Sequence, residues 1–169
     1  VWIGSAGRLE PVKGHQYIIE ALSHLPECFN LAIAGSGSQM ESLMKLANDL
    51  NVEQRVRFLG YIEGMHNFYK MIDIYVQPSL NEGFPLAPLE AQACNLPCVA
   101  TDVGATREAV CPDTGMVVAP KKPLELAKAV THIYLNGNTS KPRDFVKDKF
   151  SLVTMAQKYQ SILKCAGNS

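Results

Sequence analysis

The chain has 169 residues, of which 47% are hydrophobic and 19% charged, as expected for one globular domain with a single core. Its 16 basic and 16 acidic side chains cancel, so no general positive field would attract nucleic acid or anionic lipid. No apolar run approaches the roughly 20 residues that cross a bilayer. The opening VWIGSAGRL predicts a buried strand and not a signal peptide, so we expect a cytoplasmic protein. Because the sequence opens directly in a strand, we also expect that an upstream part of the protein precedes this chain.

Apolar runs of strand length alternate with segments of helical periodicity along the chain. The predicted strands are residues 1–7, 30–34, 56–59, 73–77, 98–101 and 115–119. The predicted helices are residues 15–25, 39–50, 65–71, 86–94, 124–135 and 152–164. This alternation predicts an α/β fold, a Rossmann-like parallel sheet of about six strands with helices on both faces. We expect this domain over residues 1–136, followed by a polar linker and a last helix over 137–169.

In such sheets ligands bind beyond the carboxyl ends of the strands, which makes the first loop a candidate site. Arg8 leaves the end of the first strand, and Lys13 and Gly14 immediately precede a helix. Two cations beside a helix N-terminus suit a diphosphate. The same residues are equally typical of a solvated turn, so this loop alone leaves both interpretations open.

The loop after the second strand contains Gly35, Ser36 and Gly37. A Gly-x-Gly sequence after a strand suggests a dinucleotide site, but Met40 stands where the third glycine of that fingerprint would be. A tight turn from strand to helix is the favoured interpretation, with room for a phosphate to approach.

The segment from Pro78 to Ala91 contains the most informative pattern. With Pro85 at the N-cap, Pro88 occupies the third helical position, where no intrahelical donor is lost. The free amides of the first turn, which include those of residues 86 and 87, form a second anion-accepting helix end. Glu82 precedes this helix and Glu90 lies within it, and a carboxylate can accept two hydrogen bonds from a vicinal diol. Each glutamate alone is also typical of a loop or of a helix N-terminus.

Five segments together resemble glycosyltransferase family 4: GRLEPVKG, AGSGS, VRFLGYI, SLNEGFPLAPLEAQACNLPCVATDVGATREAV and FSLVTMAQKYQSIL. Two glutamates separated by seven residues, Glu82 and Glu90, are the hallmark of that family. The resemblance of the first four segments extends from about Gly4 to Leu135, and the fifth is similar to the C-terminal helix of the family. It implies the C-terminal, donor-binding half of a two-domain GT-B enzyme, with a last helix that crosses back towards the N-terminal half.

The resemblance also implies roles for single residues. Arg8 and Lys13 would bind the diphosphate of a nucleotide sugar, and with Glu82, which would contact the donor sugar, they form the expected catalytic set. Glu90 would hold the ribose, and the backbone around Tyr61 and Ile62 would meet the base. The other expected donor contacts are Gly7, Gly35, Ser36, Gly37, Gly83, Phe84, Leu86 and Ala87.

Several further expectations follow from the resemblance. The donor would be a UDP-, GDP- or ADP-sugar, transferred with retention of configuration and without a bound metal or other cofactor. The acceptor would lie on an N-terminal domain missing from this chain, and any association with a membrane would be peripheral and through that half. Two alternatives stay open: another GT-B enzyme such as a sugar-nucleotide epimerase or a phosphorylase, and a non-catalytic nucleotide-binding module.

The cysteines and histidines favour no other chemistry. Five cysteines at irregular spacing do not suggest a disulfide framework. Cys94 and Cys98 lie four residues apart, but no histidine cluster completes a zinc site. We expect buried, reduced thiols and no metal.

Overall fold

A computed structural model describes residues 1–137 and 141–166. Six strands form one parallel sheet: β1 (Trp2–Ala6), β2 (Asn30–Ala34), β3 (Val56–Gly60), β4 (Ile74–Gln77), β5 (Cys98–Thr101) and β6 (Met116–Val118). The α-helices are α1 (His15–Ser23), α2 (Met40–Asp49), α3 (Met65–Lys70), α4 (Leu86–Ala93), α5 (Thr106–Ala109), α6 (Pro123–Asn136), α7 (Pro142–Phe150) and α8 (Leu152–Ala166). The predicted Rossmann-like sheet of six parallel strands is confirmed.

Alternate side chains of the strands enter two hydrophobic clusters, one on each face of the sheet. On one face, side chains such as Ile3, Ile33 and Val76 pack with buried residues of α1, α2 and α6. On the other face, Tyr75 and Ala100 pack with buried residues of α3 and α4. Because both faces are covered, β1, β2, β4 and β5 are buried on both sides, as the sequence indicated, whereas the edge strand β3 exposes Arg57 and Leu59.

The strand order is β3-β2-β1-β4-β5-β6, so the direction of winding reverses between β1 and β4. At such a switch point the connections from two neighbouring strands leave towards opposite faces, and a crevice opens beyond their carboxyl ends. The loops that follow β1 and β4 therefore face each other. These are the loops that contain Arg8, Lys13 and Glu82.

Two helices were not predicted from the sequence. Helix α5 has only four residues, too few to show a helical period. Helix α7 lies in the polar segment expected to be a linker and begins at Pro142, a residue suited to the first helical turn. It packs against α4, and the ring of Phe150 lies 5.6 Å from that of Phe84. The middle of the expected linker, residues 138–140, lies outside the described residues.

The last helix, α8, packs against α7 and keeps a series of large apolar side chains exposed. These side chains are Leu152, Val153, Met155, Tyr159, Ile162 and Leu163. Among the described residues, no helix combines the length and apolar character that crossing a membrane requires.

Candidate functional site

A cavity of about 460 Å³ opens at the carboxyl edge of the sheet. The loops after β1, β2 and β3 contribute to its wall, together with α3 and α4. Its lining residues are Ala6, Gly7, Arg8, Ala34, Gly35, Ser36, Tyr61, Ile62, Gly64, Met65, Tyr69, Ala87 and Glu90. The cavity therefore joins the loops after three neighbouring strands to the first turns of α4.

The first loop brings a cation and a helix N-terminus to this edge. Arg8 is exposed and lines the cavity. Gly14 adopts a left-handed conformation (φ 65°) as the N-cap of α1, where a side chain would overlap the carbonyl oxygen of Pro78. The amide of Leu80 donates to the carbonyl oxygen of Val12 at 2.8 Å, which ties this loop to the segment after β4.

Lys13 and Glu82 form an ion pair across the crevice. Their Nζ and Oε1 atoms are 2.7 Å apart, and the side chains are 25% and 13% exposed. The stem of Lys13 passes beside Gly7, close to the cavity wall. Lys13 and Glu82 thus lie next to the cavity without lining it, and an anion that reaches Lys13 would meet an ammonium group already engaged by a carboxylate.

Helix α4 supplies a second N-terminus. Pro85 is its N-cap and Pro88 its third residue, as predicted, so the free amides of Leu86 and Ala87 are in the first turn. The Leu86 side chain is 63% exposed, whereas Ala87 and Glu90 line the cavity. The cavity side of α4 therefore passes through Ala87 and Glu90, three positions apart on the helix, and leaves Leu86 outside.

Glu90 accepts a hydrogen bond from the Tyr69 hydroxyl, with 2.9 Å between Oη and Oε2. Tyr69 is 3% exposed, and its ring lies 5.8 Å from that of Tyr75. Burial, followed by the hydrogen bond to Glu90, raises the pKa of the Tyr69 phenol. The phenol therefore stays protonated and continues to donate to Glu90 throughout the physiological pH range.

The glycine-rich second loop is held by the first. Gly35 and Ser36 line the cavity, but Gly37 packs against the backbone of Leu9. The carboxylate of Glu10 accepts hydrogen bonds from the backbone amide and the hydroxyl of Ser38, at 3.0 and 2.8 Å. The two loops therefore form one connected rim on this side of the cavity.

Gly83 and Phe84 were predicted to contact a donor, but the structure places both outside the cavity lining. Phe84 is 41% exposed, and its ring packs on Phe150 of α7. The carbonyl oxygen of Gly83 accepts a hydrogen bond from the amide of Ala105 at 2.9 Å. Lys13, Gly37, Glu82 and Leu86 also lie outside the lining, for the reasons given above.

The Glu82 loop rests on Gly104. Gly104 has a φ of 54°, and a side chain there would overlap the carbonyl oxygens of Glu82 and Gly83. We expect Gly104→Ala to lower the free energy of unfolding by about 2 to 4 kcal/mol, because strain and overlap act together. Urea unfolding would measure this change. Gly83→Ala is the matched control, since a side chain there would meet open space. Equal stability of the two variants would contradict the proposed packing.

Buried polar residues behind the site were not singled out by the sequence. Ser79 is 1% exposed and donates from its hydroxyl to Glu82 Oε1 at 2.7 Å. Thr101 donates in turn to the carbonyl oxygens of Ser79 and Gln77. Their only sequence signal is a polar residue at the carboxyl end of a buried strand, which is also common in plain turns.

His15, the first residue of α1, is also buried, and its Nδ1 lies 3.3 Å from the hydroxyl of Ser5. Burial lowers the pKa of His15 from 6.5 to about 4. The unfolded chain therefore binds a proton at His15 more readily than the folded chain does. The contribution of neutral His15 to the free energy of unfolding should be fully present above pH 6.5 and fall as the pH drops towards 4. Below pH 4 this group should cause no further loss.

We expect this loss to amount to about 3 kcal/mol in the free energy of unfolding. Urea unfolding between pH 7 and pH 4 would measure it. The exposed His24 at the end of the same helix provides the control, and His24→Gln should leave the loss intact. A loss that disappears in His24→Gln but persists in His15→Gln would assign the effect to His24 and contradict this prediction.

Metal ligands do not cluster in the described part of the chain: no group of three or more His, Cys, Asp or Glu side chains there could hold an ion. The cysteines with described side chains are free, and Cys98 and Cys111 are buried, whereas Cys28 is exposed, contrary to the expectation of buried thiols. The Cys28 thiol is exposed because it lies in the turn between α1 and β2.

Comparison with known proteins identifies similar chains. Residues 2–149 match the sequence profile described as glycosyl transferases group 1. An uncharacterized glycosyltransferase from Methanocaldococcus jannaschii is 34% identical over 173 aligned residues, which cover 95% of this chain and 44% of the relative. The crystal structure of HepE from Anabaena in complex with UDP-glucose superposes with a TM-score of 0.86 at 27% identity, covering 97% of this chain and 48% of that one.

A third comparison concerns an isolated domain. The crystal structure of the C-terminal domain of LpcC, a glycosyl transferase group 1 family protein from Francisella tularensis, has a TM-score of 0.80 at 24% identity and covers 89% of this chain and 86% of that domain. This likeness is one of fold. The chain spans less than half the length of the curated relatives it matches.

Proposed function

Because the chain belongs to the glycosyl transferases group 1 family, we propose that it is the donor-binding domain of a glycosyltransferase. The whole protein would move a sugar from a nucleotide-diphosphate sugar to an acceptor. The observation that carries this proposal is the cavity at the switch point between β1 and β4, with Arg8 on one wall and Glu90 on another. Cations and helix amides there suit the diphosphate, and carboxylates suit the hydroxyl groups of the two sugars.

The diphosphate would lie between two helix N-termini. Arg8 and Lys13 flank the start of α1, and the free amides of Leu86 and Ala87 begin α4. When the bond between sugar and diphosphate breaks, the electron pair stays on the diphosphate oxygen. Preorganised cations and amides stabilise that charge, which lowers the barrier to departure of the leaving group.

The two glutamates would bind different parts of the donor. Glu90 lines the cavity and would accept hydrogen bonds from the ribose hydroxyls. Glu82, beside the cavity and next to Lys13, would contact the transferred sugar. Tyr61 and Ile62 line the cavity directly after β3 and would flank the base. Gly7, Gly35 and Ser36 would approach the phosphates. We propose that Gly37, Gly83, Phe84 and Leu86, which lie outside the cavity lining, support the residues that contact the donor.

For the donor we propose a UDP-sugar. The support is the HepE structure, which contains UDP-glucose and is 27% identical to this chain. Transfer with retention of configuration is proposed from the family resemblance of the Glu82 and Glu90 pattern.

We further propose that residues 1–136 are the donor domain and that residues 137–169 connect it to an acceptor-binding half. The chain spans less than half of its relatives' length, which leaves room for that half in the whole protein. We propose a cytoplasmic protein, with any membrane association peripheral and through the acceptor half.

A calorimetric titration tests the proposed donor site. We expect UDP and UDP-glucose to bind at least about tenfold more tightly than UMP, because each charge-assisted hydrogen bond to the second phosphate contributes about 1.5–3 kcal/mol. GDP- and ADP-glucose should bind more weakly than UDP-glucose. Lys45→Ala, which removes an exposed lysine paired with Asp49 on α2, is the control and should leave these affinities unchanged. Equal affinity for UMP and UDP would contradict a diphosphate site.

A further inference from the structure

We propose that Ser79 and Tyr69 are positioning residues that fix the orientation of the two glutamates. Each donates a hydrogen bond to one carboxylate oxygen of its glutamate and leaves the other oxygen for a hydroxyl group of the donor. This inference rests on the proposed function and deepens it, because it assigns the protein hydroxyls of Ser79 and Tyr69 to separate parts of the donor. Ser79 would serve the transferred sugar through Glu82, and Tyr69 the ribose through Glu90.

The bonds to Glu82 converge on a single oxygen. Ser79 Oγ and Lys13 Nζ both lie 2.7 Å from Glu82 Oε1. Two donors on one oxygen fix the carboxylate plane more firmly than either donor alone. The Oε2 atom is thereby held in one direction, and a sugar hydroxyl can meet it without an entropic cost of ordering the side chain.

Ser79 is itself rigidly held. It lies just beyond β4, is 1% exposed, and its carbonyl oxygen accepts a hydrogen bond from the Thr101 hydroxyl at the end of β5. A buried hydroxyl is costly without a partner, so the Ser79 hydroxyl keeps its bond to Glu82. The end of the sheet thus determines the direction in which Glu82 points.

Tyr69 plays the equivalent part for Glu90. Its ring makes edge-on contacts with those of Phe68 and Tyr75, with centroids 5.7 and 5.8 Å away, so its hydroxyl has little freedom to move. The hydroxyl donates to Glu90 Oε2 at 2.9 Å, and both residues line the cavity. The first oxygen of Glu90, Oε1, is then available to the ribose.

The two hydroxyls act on different glutamates, so their removal should have separable effects. Ser79→Ala should raise the dissociation constant of UDP-glucose relative to that of UDP by about 5- to 10-fold, the effect expected from the loss of one hydrogen bond. It should leave the ratio between 2′,3′-dideoxy-UDP and UDP as in the unaltered chain. Tyr69→Phe should change only the other ratio. It should reduce the discrimination against dideoxy-UDP by about 5- to 10-fold and leave the ratio of UDP-glucose to UDP unchanged.

Calorimetric titration of the 169-residue chain and of both variants with UDP, UDP-glucose and 2′,3′-dideoxy-UDP measures these ratios. Each variant is the control for the other, because a purely structural disturbance would weaken all three ligands by one common factor. The effect of Ser79→Ala should also vanish in a Glu82→Gln background if Ser79 acts through Glu82. Circular dichroism and urea unfolding check that the variants are folded.

The outcomes separate the inference from the proposed function. Failure of the unaltered chain to bind UDP would overturn the proposed function. Normal binding by the unaltered chain with unchanged ratios in both variants, or with one common factor for all ligands, would overturn the positioning roles alone.

Discussion

Joining this chain to the proposed acceptor-binding half is expected to raise the rate of sugar transfer from UDP-glucose by about 10⁵-fold or more. Holding donor and acceptor in reacting positions can lower the barrier by roughly 7–11 kcal/mol. The described residues provide cations, helix amides and glutamates in the wall of an open cavity and beside it. On the proposed two-domain arrangement, the acceptor and the opposite wall come from the other half.

The isolated chain should therefore bind the donor without transferring its sugar. Water would reach the open cavity, so the charges that stabilise the leaving group would act in a high dielectric and be weak. Incubating UDP-glucose and a panel of acceptors with the chain, and then with the joined protein, tests both statements. Nuclear magnetic resonance of the product reports the anomeric configuration. Transfer by the isolated chain at an enzyme's rate would mean that these 169 residues contain a complete site.

The second large effect concerns the cations of the first loop. Arg8→Ala combined with Lys13→Ala is expected to weaken UDP binding by roughly 100- to 10,000-fold, since two charge-assisted contacts of about 1.5–3 kcal/mol each are lost. The fold should persist, because Arg8 is exposed and Lys13 is only half-buried. Calorimetry gives the affinity, and circular dichroism the fold.

Loss of Lys13 also leaves Glu82 without its ion-pair partner, which a control must separate from the loss of phosphate contacts. Lys13→Ala with Glu82→Gln removes the pair without leaving an unpaired carboxylate. If that variant binds UDP as well as the unaltered chain does, Lys13 serves only to neutralise Glu82, and the phosphate site as proposed is wrong.

Most secondary structure could be predicted because the signals are local. The strands at 30–34 and 98–101 have the predicted bounds, since short apolar runs bounded by polar residues need no partner to be recognised. Pro85 and Pro88 located the start of α4 because proline is excluded from the helix interior. Helix α7 was missed since its apolar contacts, such as that between Phe150 and Phe84, join residues 66 positions apart (150 minus 84).

The candidate site likewise contains residues that could be selected from the sequence and residues that could not. Arg8 and Glu82 could be selected from the sequence because they lie in loops after predicted buried strands, and Glu90 because it lies near the start of the helix that follows Glu82. The family resemblance then assigned all three to a donor. Ser79 and Tyr69 could not, since a serine in a turn or a tyrosine on an amphipathic helix is ordinary until its neighbours are known.

By itself, the sequence determined the alternation of strands and helices, the start of α4 and the residue types available for binding an anion and sugar hydroxyls. Only the tertiary structure decided which of them meet. Lys13 and Glu82, 69 residues apart, form an ion pair because the sheet reverses its winding between β1 and β4. Strand order depends on the packing of all the helices against both faces at once, so no local pattern of residues specifies it.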